Sequence, residues 1–327
     1  MPLPSHHLVI LHSAAGGPEV LKRAEQPVPS PRAGEILIRV AAAGVNRHDV
    51  GQRQRRPGGE HTDVLGLEVA GEVIAVGEGV TEWKRGDRVC ALVDGGGYAE
   101  YAIAPASNTL PIPEGFTDQE AAALPEALFT VWHNFFEVAR LQPGERVLIH
   151  GGTSGVGSMG IQLLAALGYE VYATCGDDRK CNAAERFGAV RAINYRTENF
   201  VAELREDTEG RGVDVILDMA GVAYATQNLD TIAYGGRIVH LSPGTGTYSP
   251  PLAKIMAKRA IITGSRLRPV PVDAKAKIAA ALRQEVWPLL GTKIRPVIDS
   301  TFPLAEAARA HAAMERGEHI GKILLLP

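Results

Sequence analysis

The run Gly151-Gly-Thr-Ser-Gly-Val-Gly-Ser-Met-Gly160 is the part of the chain whose residue types and spacing most clearly imply chemistry. It contains Gly155-x-Gly157-x-x-Gly160, set between the apolar stretch Arg146-Val-Leu-Ile-His150 and a helical pattern from Met159 to Leu167. Strand, glycine turn and helix in that order form a dinucleotide cradle. Gly155 is expected to take the tight turn, Gly157 to admit a pyrophosphate to the backbone, and Gly160 to let helix and strand pack closely. Unpaired amides at the helix tip would supply the anion site. The type of dinucleotide is decided at the end of the next strand, Ala173-Thr-Cys-Gly-Asp-Asp-Arg-Lys180. An acid that would hold a ribose 2′-hydroxyl is replaced there by Cys175-Gly176. Arg179 and Lys180 offer positive charge to a 2′-phosphate, so NADPH is the expected cofactor. Asp177 and Asp178 oppose that choice unless they act as helix cap and first-turn charges, which is the role expected of them.

Other polar residues carry structural expectations. Glu68 follows Gly66-Leu67 at a buried strand start and is expected to be the carboxylate of a structural ion pair. Glu126, after Pro125, reads as a first-turn helix residue. His150 is expected to be a packed strand-end histidine, and Tyr98 and Tyr101 to fill a β core. His48, His61 and Asp63 lack tight ligand spacing and read as polar loop residues rather than a metal cluster. The arginines between Gln52 and Asp63 read as a solvated basic loop, with recognition of an acidic acceptor as the alternative.

The elements that position these groups follow from periodicity. Up to about residue 125 short apolar runs alternate with glycine and proline, as in Glu35-Ile-Leu-Ile-Arg-Val-Ala, Val69 to Val76 and Asp87 to Val93, the pattern of a small twisted β domain. Strands at 146–150, 170–174, 192–195, 213–218, 236–241 and 259–264 then alternate with helical stretches, which implies a doubly wound parallel α/β sheet. A helix over 274–287, a strand at 296–299, a helix over 305–316 and a strand at 321–326 form a tail too short for its own core. The tail is expected to pack on the first domain, giving 1–126 with 268–327 as one discontinuous domain and 127–267 as the dinucleotide-binding domain.

Bulk properties narrow the partners. A length of 327 residues suits two domains, and 45% hydrophobic with 22% charged residues is a globular composition. The formal net charge of -3 provides no field for a phosphate backbone or an anionic membrane, so neither nucleic acid nor membrane is an expected partner. Three cysteines, Cys90, Cys175 and Cys181, make no disulfide framework and fit a cytoplasmic protein.

The motifs Ala43-Gly-Val-Asn-Arg-His-Asp, Leu65-Gly-Leu-Glu-Val-Ala-Gly-Glu-Val, Trp83-Lys-Arg-Gly-Asp-Arg-Val, Gly95-Gly-Gly-Tyr-Ala-Glu-Tyr, Leu148 to Gly157 and Ile320-Gly-Lys-Ile together resemble the medium-chain dehydrogenase/reductase superfamily. More narrowly the chain resembles the zinc-independent, zeta-crystallin-like branch of NADPH:quinone oxidoreductases, and the resemblance runs nearly end to end. It implies a GroES-like catalytic domain, a Rossmann domain and an active site in the cleft. Asn46 would lie near the nicotinamide and the acceptor, either as first candidate donor to the developing oxyanion or as a structural amide tying down a loop, and Thr130 near the cofactor. Ser154, Gly155, Val156 and Gly157 would cradle the pyrophosphate. Gly176, Lys180 and Tyr195 would contact the 2′-phosphate, and Ser242, Ser265, Arg266 and Leu267 would line the nicotinamide pocket.

In metal-dependent relatives a cysteine stands at the position of Asn46 and a histidine at that of Leu67, and a lobe of four cysteines binds a second zinc. None of these ligands is present here. Hydride transfer to a quinone or α,β-unsaturated carbonyl is the expected activity, since such acceptors are electrophilic without a Lewis acid. The loop 52–63 lacks the tyrosine that many quinone-reducing relatives carry near the acceptor, which keeps open a low-turnover NADPH-binding redox sensor or stabilising protein. A secondary-alcohol dehydrogenase is disfavoured by Leu67 and Asn46. The apolar strand 259–264 would end the Rossmann sheet, and the family commonly closes that edge with a second subunit, so a homodimer is expected.

Overall fold

A computed structural model describes residues 3–58 and 62–327; His61 lies outside the described residues. The chain divides into two compact units, Met1–Phe129 with Val270–Pro327, and Thr130–Pro269.

The first unit opens with an antiparallel pair, β1 (His6–His12) and β2 (Leu21–Pro27). It continues with β3 (Glu35–Val45), the short helix α1 (Arg47–Arg53), β4 (Glu68–Val76), β5 (Arg88–Leu92), β6 (Tyr101–Pro105) and β7 (Thr109–Pro111). Helices α2 (Asp118–Ala122) and α3 (Pro125–Trp132) follow. The second unit carries β8 (Arg146–His150), α4 (Gly155–Ala166), β9 (Glu170–Cys175), α5 (Asp178–Arg186), β10 (Arg191–Asn194) and α6 (Phe200–Asp207). It goes on through β11 (Val213–Asp218), α7 (Ala225–Thr231), β12 (Ile232–His240), α8 (Leu252–Lys258) and β13 (Ile261–Gly264). The chain then returns to the first unit with α9 (Val272–Ala281), β14 (Ile298–Pro303), α10 (Ala307–Arg316) and β15 (Lys322–Leu326).

The first unit's main sheet has the order β14-β15-β3-β4-β5-β7, with β6 pairing β3. β3 is the hinge of this arrangement: Ile36 to Ile38 pair with β6, Ala43 to Val45 pair with β15, and β4 runs along the other side. Eight of its eleven residues are buried, so β3 reads as a near-continuous apolar run rather than an alternating one. Gly71 on β4 faces a β-bulge in β3, where a Cβ would overlap the Arg39 carbonyl oxygen.

The second unit is a six-stranded parallel sheet of order β10-β9-β8-β11-β12-β13, the doubly wound arrangement. Its central strand β11, Val-Asp-Val-Ile-Leu-Asp, is buried throughout, as a strand covered on both faces requires. α4 buries a continuous run from Gly157 to Leu164. α5 turns only Cys181, Ala183 and Ala184 inward and leaves its charges in water. The fold class therefore matches the sequence expectation of a GroES-like β unit with a Rossmann sheet. Among the described residues, no helix is long and apolar enough to cross a membrane.

Several extents differ from expectation. The β1–β2 pair is additional, and the helix expected over 274–287 ends at Ala281, continuing through a wide π turn (Leu282–Val286) and a 3-10 turn (Trp287–Leu289). β14 lies at 298–303 rather than 296–299, because Ile298 and Ser300 to Pro303 find partners on β15.

Substituting Gly71→Ala forces a methyl group against backbone in the middle of the first sheet, and we expect a loss of about 1–3 kcal/mol in stability. Urea denaturation followed by tryptophan fluorescence measures it, and an unchanged midpoint would show that the bulge relaxes freely.

Candidate functional site

The second unit gathers the expected cofactor residues at the carboxyl ends of its parallel strands. Between β8 and α4 the tight turn is taken by Gly151 (φ 73°), while Gly155 is already the first residue of the helix, which corrects the role expected for Gly155. Ser154 is the N-cap, its Oγ accepting from Gly157 N at 3.0 Å, with Gly155 and Val156 half-buried between them. A Cβ on Gly157 would overlap the Gly151 carbonyl oxygen, and one on Gly152 would come within 2.7 Å of Ala173 Cβ. The loop is folded back on the helix tip so closely that only glycine fits. Gly160 performs the packing role expected of it, a Cβ there standing 3.1 Å from Ile149 and 3.4 Å from Val131.

At the end of β9, Gly176 lies beneath Tyr195, whose hydroxyl would be 2.9 Å from a Cβ at that position. Asp177 is the N-cap of α5, accepting from Lys180 N at 2.8 Å, and Asp178 accepts from Asn194 Nδ2 at 2.6 Å. Asp177 thus caps the helix as expected, and Asp178 stands in its first turn with its carboxylate tied to the end of β10. Arg196, which the sequence reading passed over, stands beside the same glycine, with Nε 3.8 Å from that Cβ position. Its signal was only adjacency to Tyr195 at the end of β10.

Near the ends of β12 and β13, Ser265 N donates to the His240 carbonyl at 3.1 Å. Ser265 Oγ donates to Asn134 Oδ1 at 2.6 Å, and Asn134 Nδ2 donates to the Thr130 carbonyl at 2.7 Å, so Ser265 and Thr130 share one bridge. Leu267 is buried, Arg266 is exposed, and Ser242 Oγ accepts from Gly244 N at 3.2 Å.

A buried polar chain underlies these ends and was not foreseen. Asp218 accepts from Ala220 N at 2.6 Å, Gly221 N at 3.0 Å and Asn228 Nδ2 at 2.9 Å, and pairs with His240 Nδ1 at 3.0 Å. Burial alone would raise its carboxyl, but the hydrogen bonds from His240 and the two backbone amides hold it below the ordinary carboxylate range. Because Asn228 donates to Asp218, its Oδ1 must accept from His150 Nε2 at 2.8 Å, leaving His150 Nδ1 to accept from Thr174 Oγ1. His150 is thus the packed strand-end histidine expected, and burial lowers its pKa.

The first unit holds a second polar cluster around Asn46. Glu68 is fully buried and paired with Lys322 of β15, the ion pair expected of it. Asn46 Nδ2 donates to Glu68 Oε1 at 2.9 Å, Lys322 Nζ donates to Asn46 Oδ1 at 2.6 Å, and Glu126 N donates to Glu68 Oε2 at 2.9 Å. Gly44 makes room for this carboxylate, since a Cβ there would overlap it. Both polar atoms of Asn46 are therefore engaged, leaving one Nδ2 hydrogen for any further acceptor.

Beside it runs a chain of buried donors. Arg53 is wholly buried on α1, which corrects its reading as part of a solvated loop; Arg55 and Arg56 are exposed. The Arg53 guanidinium meets Glu315 at 2.7 Å, the Gly16 carbonyl at 3.0 Å and His311 Nδ1 at 3.3 Å. His311 Nδ1 accepts from Arg53, so its Nε2 carries the proton and donates to the Tyr98 hydroxyl at 3.1 Å, which donates to Asp49 Oδ2 at 3.0 Å. Asp49 also accepts from Asn46 N and Gly66 N. Tyr98 is buried as expected, whereas Tyr101 is half-buried against His7.

Among the described residues no group of three His, Cys, Asp or Glu could hold a metal ion. At the two positions where metal-dependent relatives carry ligands, Leu67 has no lone pair, and Asn46 is bonded to Glu68 and Lys322.

A GroES-like unit and, in the same chain, a parallel sheet with a glycine-gated helix tip define the class of a nicotinamide-type dehydrogenase or reductase. The comparisons agree. The family model described as "Alcohol dehydrogenase GroES-like domain" matches residues 32–114, and "Zinc-binding dehydrogenase" matches residues 155–283. The chain is 35% identical over 323 residues to the quinone oxidoreductase of Sus scrofa, covering 95% of each. Among solved structures it is similar to an NAD-dependent alcohol dehydrogenase (TM-score 0.87, 30% identity, 98% of this chain and 99% of that one). It is also similar to the Escherichia coli quinone oxidoreductase complexed with NADPH (TM-score 0.85, 28% identity, 98% and 100%). This chain belongs to the quinone oxidoreductase family of enzymes, in the zeta-crystallin-like branch of the medium-chain dehydrogenases and reductases.

The neutral His311 links the first unit's stability to pH. Burial, then the Arg53 charge, pushes its pKa from 6.5 down to about 3. The unfolded chain takes up the proton first, so this contribution is complete above pH 6.5 and is lost as pH falls from 6.5 toward 3. Asp49 works in the opposite sense: burial raises it from 3.8 to about 6, so its contribution is complete below 3.8 and is lost as pH rises toward 6. In His311→Asn we expect a flatter fall of urea midpoint on acidification below pH 6.5. A slope equal to that of the parent would mean the ring is not held neutral.

Proposed function

We propose that the protein transfers hydride from NADPH, without zinc, to a quinone or an α,β-unsaturated carbonyl. The observation that carries the reading is the strand end after β9, where Gly176 stands in place of a carboxylate, Asp177 is engaged in capping α5 and Asp178 is bonded to the Asn194 side chain. A 2′-phosphate beside Gly176 would meet Lys180, Arg196 and the Tyr195 hydroxyl, a set that favours a dianion over a ribose hydroxyl. The solved relative with NADPH supports the same choice, although another similar structure is named NAD-dependent.

When bound, the reduced nicotinamide supplies the hydride. Ser154 to Gly157 would hold the pyrophosphate on backbone amides, and Thr130, Ser242 and Ser265 to Leu267 would line the nicotinamide end. Asn46, through its remaining amide hydrogen, would stabilise negative charge on the acceptor oxygen. The donor set around Leu67 and Asn46 suits positioning and hydrogen bonding, which favours acceptors that are already electrophilic.

The protein would act as a homodimer. Tyr234, Leu252, Met256 and Ile261 are large apolar side chains more than half exposed, and they cluster on β12, α8 and the edge strand β13. An unpaired apolar edge is a template for strand addition by a second copy.

In steady-state assays with quinones and enones, Lys180→Ala should weaken NADPH by about 10-fold or more, as loss of a charged hydrogen bond predicts, and leave NADH nearly unchanged. Equal effects on both nucleotides would remove the 2′-phosphate assignment, and no turnover of any acceptor would favour the sensor reading. Light scattering should give twice the chain mass at micromolar concentration and the single mass for Ile261→Lys; a monomeric parent protein excludes the dimer.

A further inference from the structure

Asn134 is a buried amide set where a helix leaves its regular course. α3 ends at Trp132 and widens into a π turn, His133–Val138, in which the Asn134 carbonyl accepts from Ala139 N, five residues on, at 2.9 Å. Such turns are rare and concentrate at functional sites. Asn134 Nδ2 donates to the Thr130 carbonyl at 2.7 Å. Because a carbonyl can only accept, the amide has one orientation: Oδ1 faces Ser265, whose hydroxyl donates to it at 2.6 Å.

Ser265 opens the irregular segment after β13. Two bonds fix it there, one from its N–H to the His240 carbonyl at the end of β12 and one from its hydroxyl to Asn134. A Cβ on Gly264 would stand 3.2 Å from the same His240 oxygen, so the chain leaves β13 in close contact with β12. Across 131 positions of sequence, Asn134 thereby joins the helical turn that carries Thr130 to the segment 265–267. The strand order is β10-β9-β8-β11-β12-β13, so a dinucleotide with its 2′-phosphate beside β9 and its pyrophosphate at the tip of α4 has its far end over β11 to β13. The Asn134 bridge stands at that end.

We propose that Asn134 is a positioning residue for the nicotinamide. It touches no cofactor atom itself; through Ser265 and Thr130 it holds two walls of the nicotinamide pocket at a fixed separation. The inference rests on the NADPH reading above. Hydride transfer accepts the ring in a narrow range of positions, and an error of about 1 Å can cost about 100-fold in rate. A buried tie between the walls suits that demand, because neither wall shifts without leaving a donor or an acceptor unpaired away from water.

The test compares the whole nucleotide with its adenosine end alone, using NADPH and adenosine 2′,5′-bisphosphate as probes. Calorimetric titration of full-length Asn134→Ala and Ser265→Ala should show NADPH affinity lowered about 5-fold, as loss of a buried hydrogen bond predicts, and the bisphosphate bound as in the parent. The double variant should bind NADPH no more weakly than the weaker single one, because the two side chains act as a unit. At saturation the fluorescence anisotropy of bound NADPH should be lower in the variants, since the ring is less confined. Ser265→Ala removes one half-buried oxygen and decides the matter alone if Asn134→Ala does not fold. Parental NADPH affinity and anisotropy, equal weakening of both probes, or losses that multiply in the double variant overturn the proposal. A parent protein that binds neither probe defeats the NADPH reading and the positioning role together, whereas one that binds both with variants indistinguishable from it defeats the positioning role alone.

Discussion

A carboxylate with no access to water must find a cation, and Glu68 finds its own 254 positions along the chain. That requirement organises the first unit. Lys322 can reach Glu68 only if β15 lies against β3, and β3 in turn pairs with β4, which carries Glu68. Losing one partner of such a pair costs about 3–5 kcal/mol, because the other is left buried and charged, whereas an apolar replacement of both can be nearly neutral. Stability alone therefore does not account for the pair. What it adds is a fixed point to which the Asn46 amide and the start of α3 are fastened, so that the polar groups nearest the surface of the cluster are held by those that cannot move.

The second unit solves a different problem with different means. The turn between β8 and α4 contains no cation: Ser154 caps the helix, Gly151 takes the left-handed turn, and Gly157 and Gly152 allow the loop to lie flat on its neighbours. A basic side chain stands one strand over, where Arg196 lies beside Gly176 and Tyr195. Below both, Asp218, Asn228, His150 and Thr174 form a closed polar chain in which each donor has an acceptor, which rigidifies the strand ends without leaving a buried charge unsatisfied.

Much of this was legible before any coordinates, and the exceptions have physical reasons. β8, β9 and β11 announce themselves as apolar runs because both of their faces are covered, and the glycine spacing after β8 marks the turn into α4. Glu68 could be read as half of an ion pair from its burial context, but nothing local points to Lys322, because pairing across the chain leaves no periodic trace. Arg53 looked like one basic residue among several in a polar loop, and only the docking of α10, which brings Glu315 and His311, makes it a core residue. The β1–β2 pair escaped notice since β2 buries only Leu21 fully and so lacks an alternating pattern. Gly155 was assigned the turn because the motif begins with it, whereas the backbone reverses earlier, at Gly151.

The split of the first unit across the chain also has a temporal side. Residues 130–269 leave the ribosome complete before the strand that bears Lys322 has been made. The parallel sheet can thus be finished while β3 still presents bare backbone where β15 will dock, and Glu68 has no counter-charge. During synthesis the older half of the molecule is the unfinished one, its sheet edge open until the last strand arrives.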